Sequence, residues 1–440
     1  MINRIKARLL LKIRRYSRST RNYISVASRM IFVRWRIICL SSFSALFLII
    51  LSYALDTTPL PIGGEVSVGQ WLERFRALGN SDSDNIPDSI FMVNVTFDKT
   101  LVDYEARLFS NDSDSPKLPV GKITTTDRKK LYDFLLVADS LRNYRYILLD
   151  IRFEDDIEND SITKALFSLI GKMDNIVFAM HESGNSADGA PIKKAAYSDY
   201  HTTFLVSDVV KYPLLKRAES KTPYSLSIPA KMFSDLNNGN FTTSGLITYY
   251  NGHLCRRSIY PSFPIRITSW AKESDEDQSP IIQYHNLGED LVNLDNYKEV
   301  IGDLIDNRIV VIGDLVEDIH DTYIGLQPGA LINLNSYIAL CRGEHLTSWL
   351  GFTSQFALYF IISWFIIRRV SIIDKIGIFR NKNYGVIRFL FSFISYSVVL
   401  TVASAIIYIL SGSIFSIALP SLYFTILESC RKLEFHHFTK

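Results

Sequence analysis

The chain has 440 residues and a nominal charge of +3, and 48% of its residues are hydrophobic. Its cations are concentrated: residues 4–36 hold eleven Lys or Arg and no acid, and residues 368–388 hold six cations and one acid. The residues outside 56–348 carry a net charge of +17. Because the whole chain carries +3, residues 56–348 carry a net charge of −14. The basic clusters lie where membrane topology places cations, which excludes nucleic-acid binding as the explanation of the basic pI.

The first predicted element is a membrane span at residues 37–55, nineteen residues without a charge. About twenty apolar residues cross a hydrocarbon core of roughly 30 Å. A cleaved signal peptide has a short charged region and a small-residue cleavage site, whereas thirty-six residues precede this run. We therefore predict an uncleaved anchor that leaves residues 1–36 in the cytoplasm and residues 56–348 outside it. Contact of the basic tail with anionic lipid is favoured over a specific partner for it.

Alternating apolar runs then predict a layered α/β domain. Residues 89–97, 144–153 and 175–180 are typical of buried strands, and residues 127–141 and 161–170 have helical apolar spacing. Strands and helices that alternate in this way favour parallel pairing through right-handed crossovers.

The later part of this segment is less regular. Residues 103–122 are polar and indicate an insertion, and residues 182–289 predict mixed, partly antiparallel structure. Residues 307–314 form another apolar run typical of a strand, followed by a predicted helix at residues 330–340. The predicted fold class is an α/β extracytoplasmic domain, largely a parallel sheet with crossover helices and a mixed middle part, on four transmembrane helices.

Three predicted spans follow the domain. Residues 349–367 are uncharged and end at two arginines, and residues 389–427 are thirty-nine residues without a charge, too long for one span. A Ser-Gly-Ser turn divides the long run into spans at residues 389–410 and 413–429. The second of these is short and contains a proline. Four spans would leave the 368–388 loop, the 430–440 tail and both termini in the cytoplasm.

The densest group of chemically active side chains follows the strand at residues 309–312. Carboxyl ends of strands in open α/β sheets are where ligands bind. Asp318 and His320 are two residues apart, so in an extended segment they face the same way and could share a cation. The alternative is that these side chains hydrogen-bond their own loop and stabilise the turn at residues 325–329.

Asp98 and Asp150 each end a predicted buried strand and could lie near that loop. Paired carboxylates can perform acid–base chemistry. The chain has no serine or cysteine nucleophile motif, no HExxH motif and no phosphate-binding loop motif. We therefore expect no enzymatic activity, no metal centre and no cofactor. Cys255 and Cys341 lie in the external segment, where a disulfide is chemically permitted, and their pairing is left open.

The external segment resembles the type 2 CHASE domain (CHASE2), a family of extracellular sensory modules of bacterial membrane receptors. The best match is residues 308–346, similar to the closing block of the family at Ile312, Gly313, Asp318, His320, Thr322, Gly325, Pro328, Gly329, Asn335 and Gly343. Asp98, Asp127 and Asp150 fit earlier blocks of the family, and one span before the domain and three after it is its usual arrangement. The first strand lacks the Trp-Pro stretch that is usual in the family.

The resemblance implies a multi-pass protein of the bacterial inner (cytoplasmic) membrane with a sensory domain outside. The ligand-binding candidates are Asp98, Asp150, Asp318, His320 and Thr322, and the structural turn positions are Gly313, Gly325, Pro328 and Gly329. Family members commonly continue into an output domain, whereas here residues 430–440 follow the last predicted span. We therefore expect a separate cytoplasmic effector, and a homodimer by family analogy.

Three functions remain open at this stage. The first is a sensor or receptor component that detects an external ligand or protein and signals through its spans. The second is a scaffold subunit that assembles a membrane complex without sensing. The third, an external hydrolase, would use Asp98, Asp150, Asp318 and His320.

Overall fold

The computed structural model of the chain describes residues 32, 34–54, 89–107, 117–151, 153, 161–180, 191–198, 201–202, 209–216, 225–244, 247–260, 263, 265, 284–293, 296–322, 325–368, 385–411 and 416–438. The chain divides into a helical unit, residues 1–52 and 348–440, and an α/β unit, residues 53–347. The predicted basic tail before residue 32 and most of the 368–388 loop lie outside the described residues.

The α-helices of the described residues are α1 (Arg34–Ala54), α2 (Arg128–Leu141), α3 (Ser161–Lys172), α4 (Ile228–Leu236), α5 (Tyr297–Ile305), α6 (Gly329–Cys341), α7 (Trp349–Ile367), α8 (Gly385–Ser411) and α9 (Ala418–Phe438). A 3₁₀ turn covers Ile192–Lys194, and a π-helix covers Leu287–Val292.

The strands are β1 (Ile90–Asn94), β2 (Lys99–Arg107), β3 (Lys117–Thr126), β4 (Tyr146–Asp150), β5 (Ile176–Met180), β6 (Ala195–Tyr197), β7 (His201–Thr202), β8 (Val209–Pro213), β9 (Leu215–Lys216), β10 (Ser225–Leu226), β11 (Phe241–Ser244), β12 (Ile247–Tyr250), β13 (His253–Cys255), β14 (Ser258–Ile259), β15 (Tyr284–Asn286), β16 (Ile309–Gly313), β17 (Ile319–Thr322) and β18 (Gly325–Pro328).

The centre of the α/β unit is a six-stranded sheet in the order β15-β1-β16-β4-β5-β6. Every neighbouring pair in it is parallel, which confirms the predicted parallel sheet. β1 and β16 are buried along their whole length, because both faces of the sheet are covered and each strand can be apolar throughout.

Alternate residues of each strand face two separate cores. One core combines Phe91, Val93, Ile147, Leu149, Ile176, Phe178, Val310 and Ile312 with apolar residues of α2, α3 and α5. The other combines Ile90, Met92, Tyr146, Leu148, Val177, Ala179, Ile309 and Val311 with apolar residues of α4 and α6. The α2, α3 and α5 helices connect successive parallel strands, so the predicted crossover helices are present.

The carboxyl ends of three central strands lie side by side. The register pairs Asn94 of β1 with Gly313 of β16, and Gly313 with Asp150 of β4. A Cβ atom on Gly313 would lie 2.8 Å from the Cβ of Ala330, closer than two such atoms can approach. A glycine at this position therefore lets the first turn of α6 lie against the end of the sheet.

The middle of the chain contains smaller sheets, as its irregular pattern predicts. Within residues 182–289, β11, β12 and β13 form an antiparallel sheet, and β8 pairs in antiparallel fashion with β7 and β14. After this range, β17 and β18 form an antiparallel hairpin beside β8. Of the polar stretch at residues 103–122, interpreted as an insertion, the described residues 103–107 and 117–122 pair with each other in β2 and β3. Residues 345–347 pair with β13, because the amide of Arg256 donates to the carbonyl of His345 and the amide of Thr347 donates to that of Leu254.

The chain enters and leaves the α/β unit at one place. Tyr53, at the start of the unit, and Thr347, at its end, are hydrogen-bonded through their hydroxyl groups at 2.8 Å.

In the helical unit, three helices of the described residues are long and apolar enough to cross a membrane: Arg34–Ala54, Trp349–Ile367 and Val386–Leu410. The predicted fourth span at residues 413–429 is wrong by this criterion. α9 begins at Ala418 and runs through Glu428, Arg431, Lys432 and Glu434, so its uncharged part has only ten residues. The prediction of a cytoplasmic C-terminus depends on an even number of membrane crossings. The three candidate spans are an odd number, so this prediction no longer follows from the count.

Polar side chains join α9 to the candidate spans. The hydroxyl of Ser44 in α1 lies 2.9 Å from those of Ser363 in α7 and Tyr423 in α9. The carboxylate of Glu428, 5% exposed, accepts hydrogen bonds from Ser392 at 2.8 Å and Tyr396 at 3.0 Å, both in α8. Hydrogen bonds of this kind between helices contribute to packing where the hydrophobic effect is weak.

We predict that Gly313→Ala lowers the free energy of unfolding by about 1–3 kcal/mol, because its methyl group would force α6 from the sheet end. Thermal unfolding of the detergent-solubilised full chain measures this. Gly171→Ala in α3 is the control, since its Cβ would lie at an ordinary 3.4 Å from Pro191. Equal melting temperatures for the two variants would contradict the close contact described above.

Candidate functional site

Asp150 ends β4 at the carboxyl edge of the sheet and is held by hydrogen bonds to both carboxylate oxygens. Its Oδ1 accepts from Ser198 Oγ at 2.9 Å, and its Oδ2 accepts from Asn333 Nδ2 at 3.0 Å. Ser198 directly follows β6, and Asn333 lies in α6 and is 1% exposed. The carboxylate is therefore fixed by two other parts of the chain, the end of β6 and α6.

The orientation of Asn333 is itself set by a buried neighbour. The Tyr212 hydroxyl, in β8, donates to Asn333 Oδ1, so the amide nitrogen of Asn333 points at Asp150. The same nitrogen lies 3.1 Å from Ser198 Oγ. Sequence reasoning missed Ser198, Tyr212 and Asn333. The available signal was an asparagine pair, Asn333 and Asn335, in a helix whose other residues are mostly apolar.

Asp318 and His320 lie on the β17 side of the same edge. His320 Nε2 is 2.8 Å from Asp318 Oδ1, so these side chains face the same way, as their spacing predicts. A Cβ atom on Gly329 would lie 2.5 Å from Asp318 Oδ2 and 3.4 Å from Asp150 Oδ2. The two carboxylates therefore converge on the first residue of α6, where any side chain larger than that of glycine would collide with Asp318.

The environment of Asp150 disfavours its negative charge. Burial raises the pKa of Asp150 to about 6, and the negative charge of Asp318 adds to the effect. The hydrogen bonds from Ser198 and Asn333 and the neighbouring His320 act in the opposite direction. The pKa of this carboxyl group consequently falls in the mildly acidic range, where a ligand or a neighbouring charge can change its protonation.

Thr322 occupies a structural position in the hairpin. Its hydroxyl donates to the carbonyl oxygen of Gly325 at 2.6 Å, and the two residues are register partners at the end of β17 and the start of β18. Gly325 has a φ of +109°, which favours glycine. At the other end of the hairpin, Pro328 precedes α6. These contacts favour the turn interpretation for Thr322.

Asp98 lies apart from this cluster. Its Oδ1 forms an ion pair with Lys130 Nζ at 2.7 Å, and its Oδ2 accepts from the amide of Gly288 at 2.8 Å. The carboxylate is 5% exposed and joins α2 to the π-helix. Among the described residues Asp98 contacts neither Asp150 nor Asp318, so it has the geometry of a structural ion pair.

A second buried network fixes the loop that carries Asp318. Asn94, fully buried at the end of β1, accepts a hydrogen bond from the amide of Leu315 at 3.1 Å. Asp314 accepts from Thr96 Oγ1 at 2.6 Å and from the amide of Glu317 at 2.7 Å. Burial disfavours the charge of Asp314, but these hydrogen bonds together with Lys99 outweigh it and lower its pKa. The loop conformation therefore depends on an ionised Asp314.

The described residues contain no group of three or more His, Cys, Asp or Glu side chains that could hold a metal ion. Asp318 and His320 supply two such groups, which hydrogen-bond to each other. Cys255 and Cys341 are not joined by a disulfide in the structure, so the pairing left open by the sequence is not formed.

His345 lies where the α/β unit leads into the last candidate spans along the chain. It is 1% exposed, and neither ring nitrogen forms a hydrogen bond of normal geometry with a described residue, although the Leu340 backbone lies close enough to oppose part of the effect of burial on its pKa. The rings of Phe233, Tyr250 and Phe241 surround it at centroid distances of 5.0, 5.4 and 6.1 Å. Burial lowers its pKa to about 4, so the imidazole is neutral inside this aromatic cage.

No family model matches the chain, and no curated protein and no solved structure matches it.

We predict that Asp150→Asn changes how stability depends on pH. Because the folded state holds this proton up to about pH 6 and the unfolded state releases it near 4, the wild type loses stability as pH rises between these values. Relative to Asp150→Asn, its free energy of unfolding should fall by about 2 kcal/mol from pH 4 to pH 7. Thermal unfolding of the full chain across that range measures this.

The control for this prediction is Asp303→Asn, an exposed position in α5. Its stability profile should follow that of the wild type. Parallel profiles for the wild type and Asp150→Asn would show that the environment of Asp150 does not disfavour its charge.

We predict the opposite pH dependence for His345→Phe. As pH falls from 6.5 to 4, the unfolded chain binds a proton on His345 and the folded chain does not, so the wild type is destabilised in acid. On acidification the free energy of unfolding of the variant should therefore fall by roughly 3 kcal/mol less than that of the wild type. Melting temperatures at pH 7 and pH 4.5 test this, with His253→Phe, an exposed site in β13, as the matched control. An acid sensitivity equal in all three proteins would refute the role assigned to His345.

Proposed function

We propose that the chain is a sensor component of the bacterial inner membrane whose extracytoplasmic α/β domain binds a ligand and signals to a separate cytoplasmic partner. The observation that carries this proposal is the cluster of Asp150, Asp318 and His320 at the carboxyl edge of the parallel sheet. Open parallel sheets bind ligands at this edge. The Asp318 side chain is 47% exposed and that of His320 is 30% exposed, so a ligand can reach them.

The position of α6 supports a route from this site to the membrane. α6 begins at Gly329, between the two carboxylates, and twelve of its thirteen residues are buried. Residues 342–348 then connect it along the chain to the candidate span α7. A ligand that prefers one position of the first turn of α6 would shift the whole helix, because a buried helix moves as a rigid body. Such a ligand changes the equilibrium only by its difference in affinity for the two positions.

The charge distribution supports the orientation. In the proposed topology the basic residues 1–36 and the 368–388 loop lie in the cytoplasm, and the acidic residues 56–348 lie outside, in accordance with the positive-inside rule. The basic tail contacts anionic lipid. The chain has no catalytic activity of its own in this proposal, and its output comes from the partner protein. The resemblance of residues 308–346 to the CHASE2 closing block points to the same sensory role, and to a homodimer by analogy.

The test is photo-crosslinking in intact cells. A photoreactive amino acid at Tyr16 in the tail, and in a second variant at Ser371 in the loop, should capture a cytoplasmic protein that mass spectrometry identifies. In the Asp318→Asn background the crosslinking yield should change by about threefold or more, because the site then no longer biases α6. Asp303→Asn is the matched control and should leave the yield unchanged.

Two outcomes would contradict this proposal. Failure to capture a cytoplasmic protein at both positions would exclude signalling through a partner at these segments. Capture of a partner with equal yield in the wild type, in Asp318→Asn and in Asp150→Asn would instead indicate a scaffold subunit.

A further inference from the structure

One buried side chain lies in the connection that leads from α6 toward α7. Among the six described residues of this connection, residues 342–347 (the exit segment), His345 alone is buried and the others are half-buried or exposed. Two backbone hydrogen bonds join the segment to β13 and the residue after it. The Arg256 amide donates to the His345 carbonyl at 2.9 Å, and the Thr347 amide donates to the Leu254 carbonyl at 3.0 Å. The apolar attachment of the exit segment is therefore concentrated in the ring of His345.

This ring is inserted among three aromatic rings from different elements. Phe233 of α4, Phe241 of β11 and Tyr250 of β12 contact one another at centroid distances of 4.8 to 6.5 Å. His345 meets Phe233 at an interplanar angle of 71° and Tyr250 at 86°, both edge to face. An apolar ring would fill this place without burying polar nitrogens that lack hydrogen bonds of normal geometry. Packing alone consequently does not account for a histidine here.

The first group of surrounding elements brings no free charge to the imidazole in the described residues. α4 carries Lys231 and Asp235, which form an ion pair with each other at 3.1 Å. β11 has no titratable side chain. β12 carries Tyr249 and Tyr250, of which Tyr250 contacts the His345 ring.

The second group consists of β13, α6 and the exit segment itself. Their other titratable side chains are His253, Cys255, Tyr337, Cys341, Arg342 and Glu344. Neither these groups nor those of α4 and β12 are among the causes that shift the pKa of His345. Burial lowers this pKa to about 4, and the Leu340 backbone opposes part of the effect.

These surroundings disfavour a protonated ring. Aromatic rings attract a cation, but the attraction is weaker than the cost of removing an unpaired charge from water, in accordance with the lowered pKa. In water the ring would have its ordinary pKa, near 6.5. Gly343, two residues earlier, has a φ of +77°, which favours glycine and ends α6. Changes of backbone angle there can redirect the exit segment while α6 stays in place.

We propose that the exit segment is an acid-sensitive switch, in which protonation of His345 withdraws its ring from the three aromatic rings and detaches residues 345–347 from β13 while the parallel sheet stays folded. This inference goes beyond the proposed function, because its input is a proton and it requires neither the ligand nor the partner protein. Acid acts in this way on the connection through which the chain passes from α6 to α7.

The experiment is hydrogen–deuterium exchange of the purified full chain in detergent at pH 7 and pH 4.5, with rates corrected for the intrinsic effect of pH. Opening exposes the amides of Arg256 and Thr347. Because the opened ring binds a proton near pH 6.5 and the closed ring near pH 4, the protection of these amides should fall about fiftyfold on acidification. At pH 4.5 it should be at least about tenfold lower than that of β4 and β16, since the sheet stays folded.

Matched variants identify the titrating group. His345→Phe keeps an aromatic ring but cannot bind a proton, so the protection of the same amides should change less than about threefold between the two pH values. His253→Phe, which removes an exposed histidine of β13, should respond as the wild type does. If His345→Phe does not fold, His345→Leu replaces it with the same expectation, and the wild-type comparison needs no substitution.

Three results would each overturn the proposal. The first is unchanged protection of the exit segment in the wild type, which would mean that the aromatic rings accommodate the imidazolium. The second is equal protection of the exit segment, β4 and β16 at pH 4.5, which would mean that the segment opens only when the whole unit unfolds. The third is an acid response in the variant at position 345 as large as that of the wild type.

Discussion

The α/β unit depends on the close approach of α6 to the end of its parallel sheet. Two glycines make this approach possible: Gly313, whose Cβ would collide with Ala330, and Gly329, whose Cβ would collide with Asp318. Because the helix lies so close, Asn333 in its second turn reaches Asp150. The backbone approach and the polar cluster are thus one arrangement, in which small residues allow the contact and hydrogen-bonding residues fix its position.

The sheet and its helices were predictable because their signals are local. Continuous apolar runs such as residues 309–312 identify strands buried on both faces, and the spacing of Leu131, Phe134 and Leu135 identifies α2. The sequence also indicated that Asp150 could lie near the loop of Asp318, because both follow the carboxyl ends of predicted strands. Asp98 ends a strand as well, yet its carboxylate turns to Lys130 and Gly288. Sequence position at a strand end does not determine which way a side chain points.

The remaining features arise from contacts between residues far apart in the chain. Ser198 and Asn333 contact Asp150, and Tyr212 contacts Asn333, only after β6, β8 and α6 have packed, so a local sequence pattern does not reveal these contacts. The prediction of a fourth span is wrong for a related reason. The uncharged run of residues 389–427 has the length of two spans, but one long helix takes residues up to Ser411, and α9 extends into charged sequence.

The bond between Tyr53 and Thr347 gives the α/β unit adjacent ends. A folded unit whose ends meet can be inserted between two helices, or removed, without stretching the rest of the chain. The segment thus has the form of an interchangeable cassette. Evolution could substitute this cassette while keeping the helical unit, provided that the replacement also brings its first and last residues together.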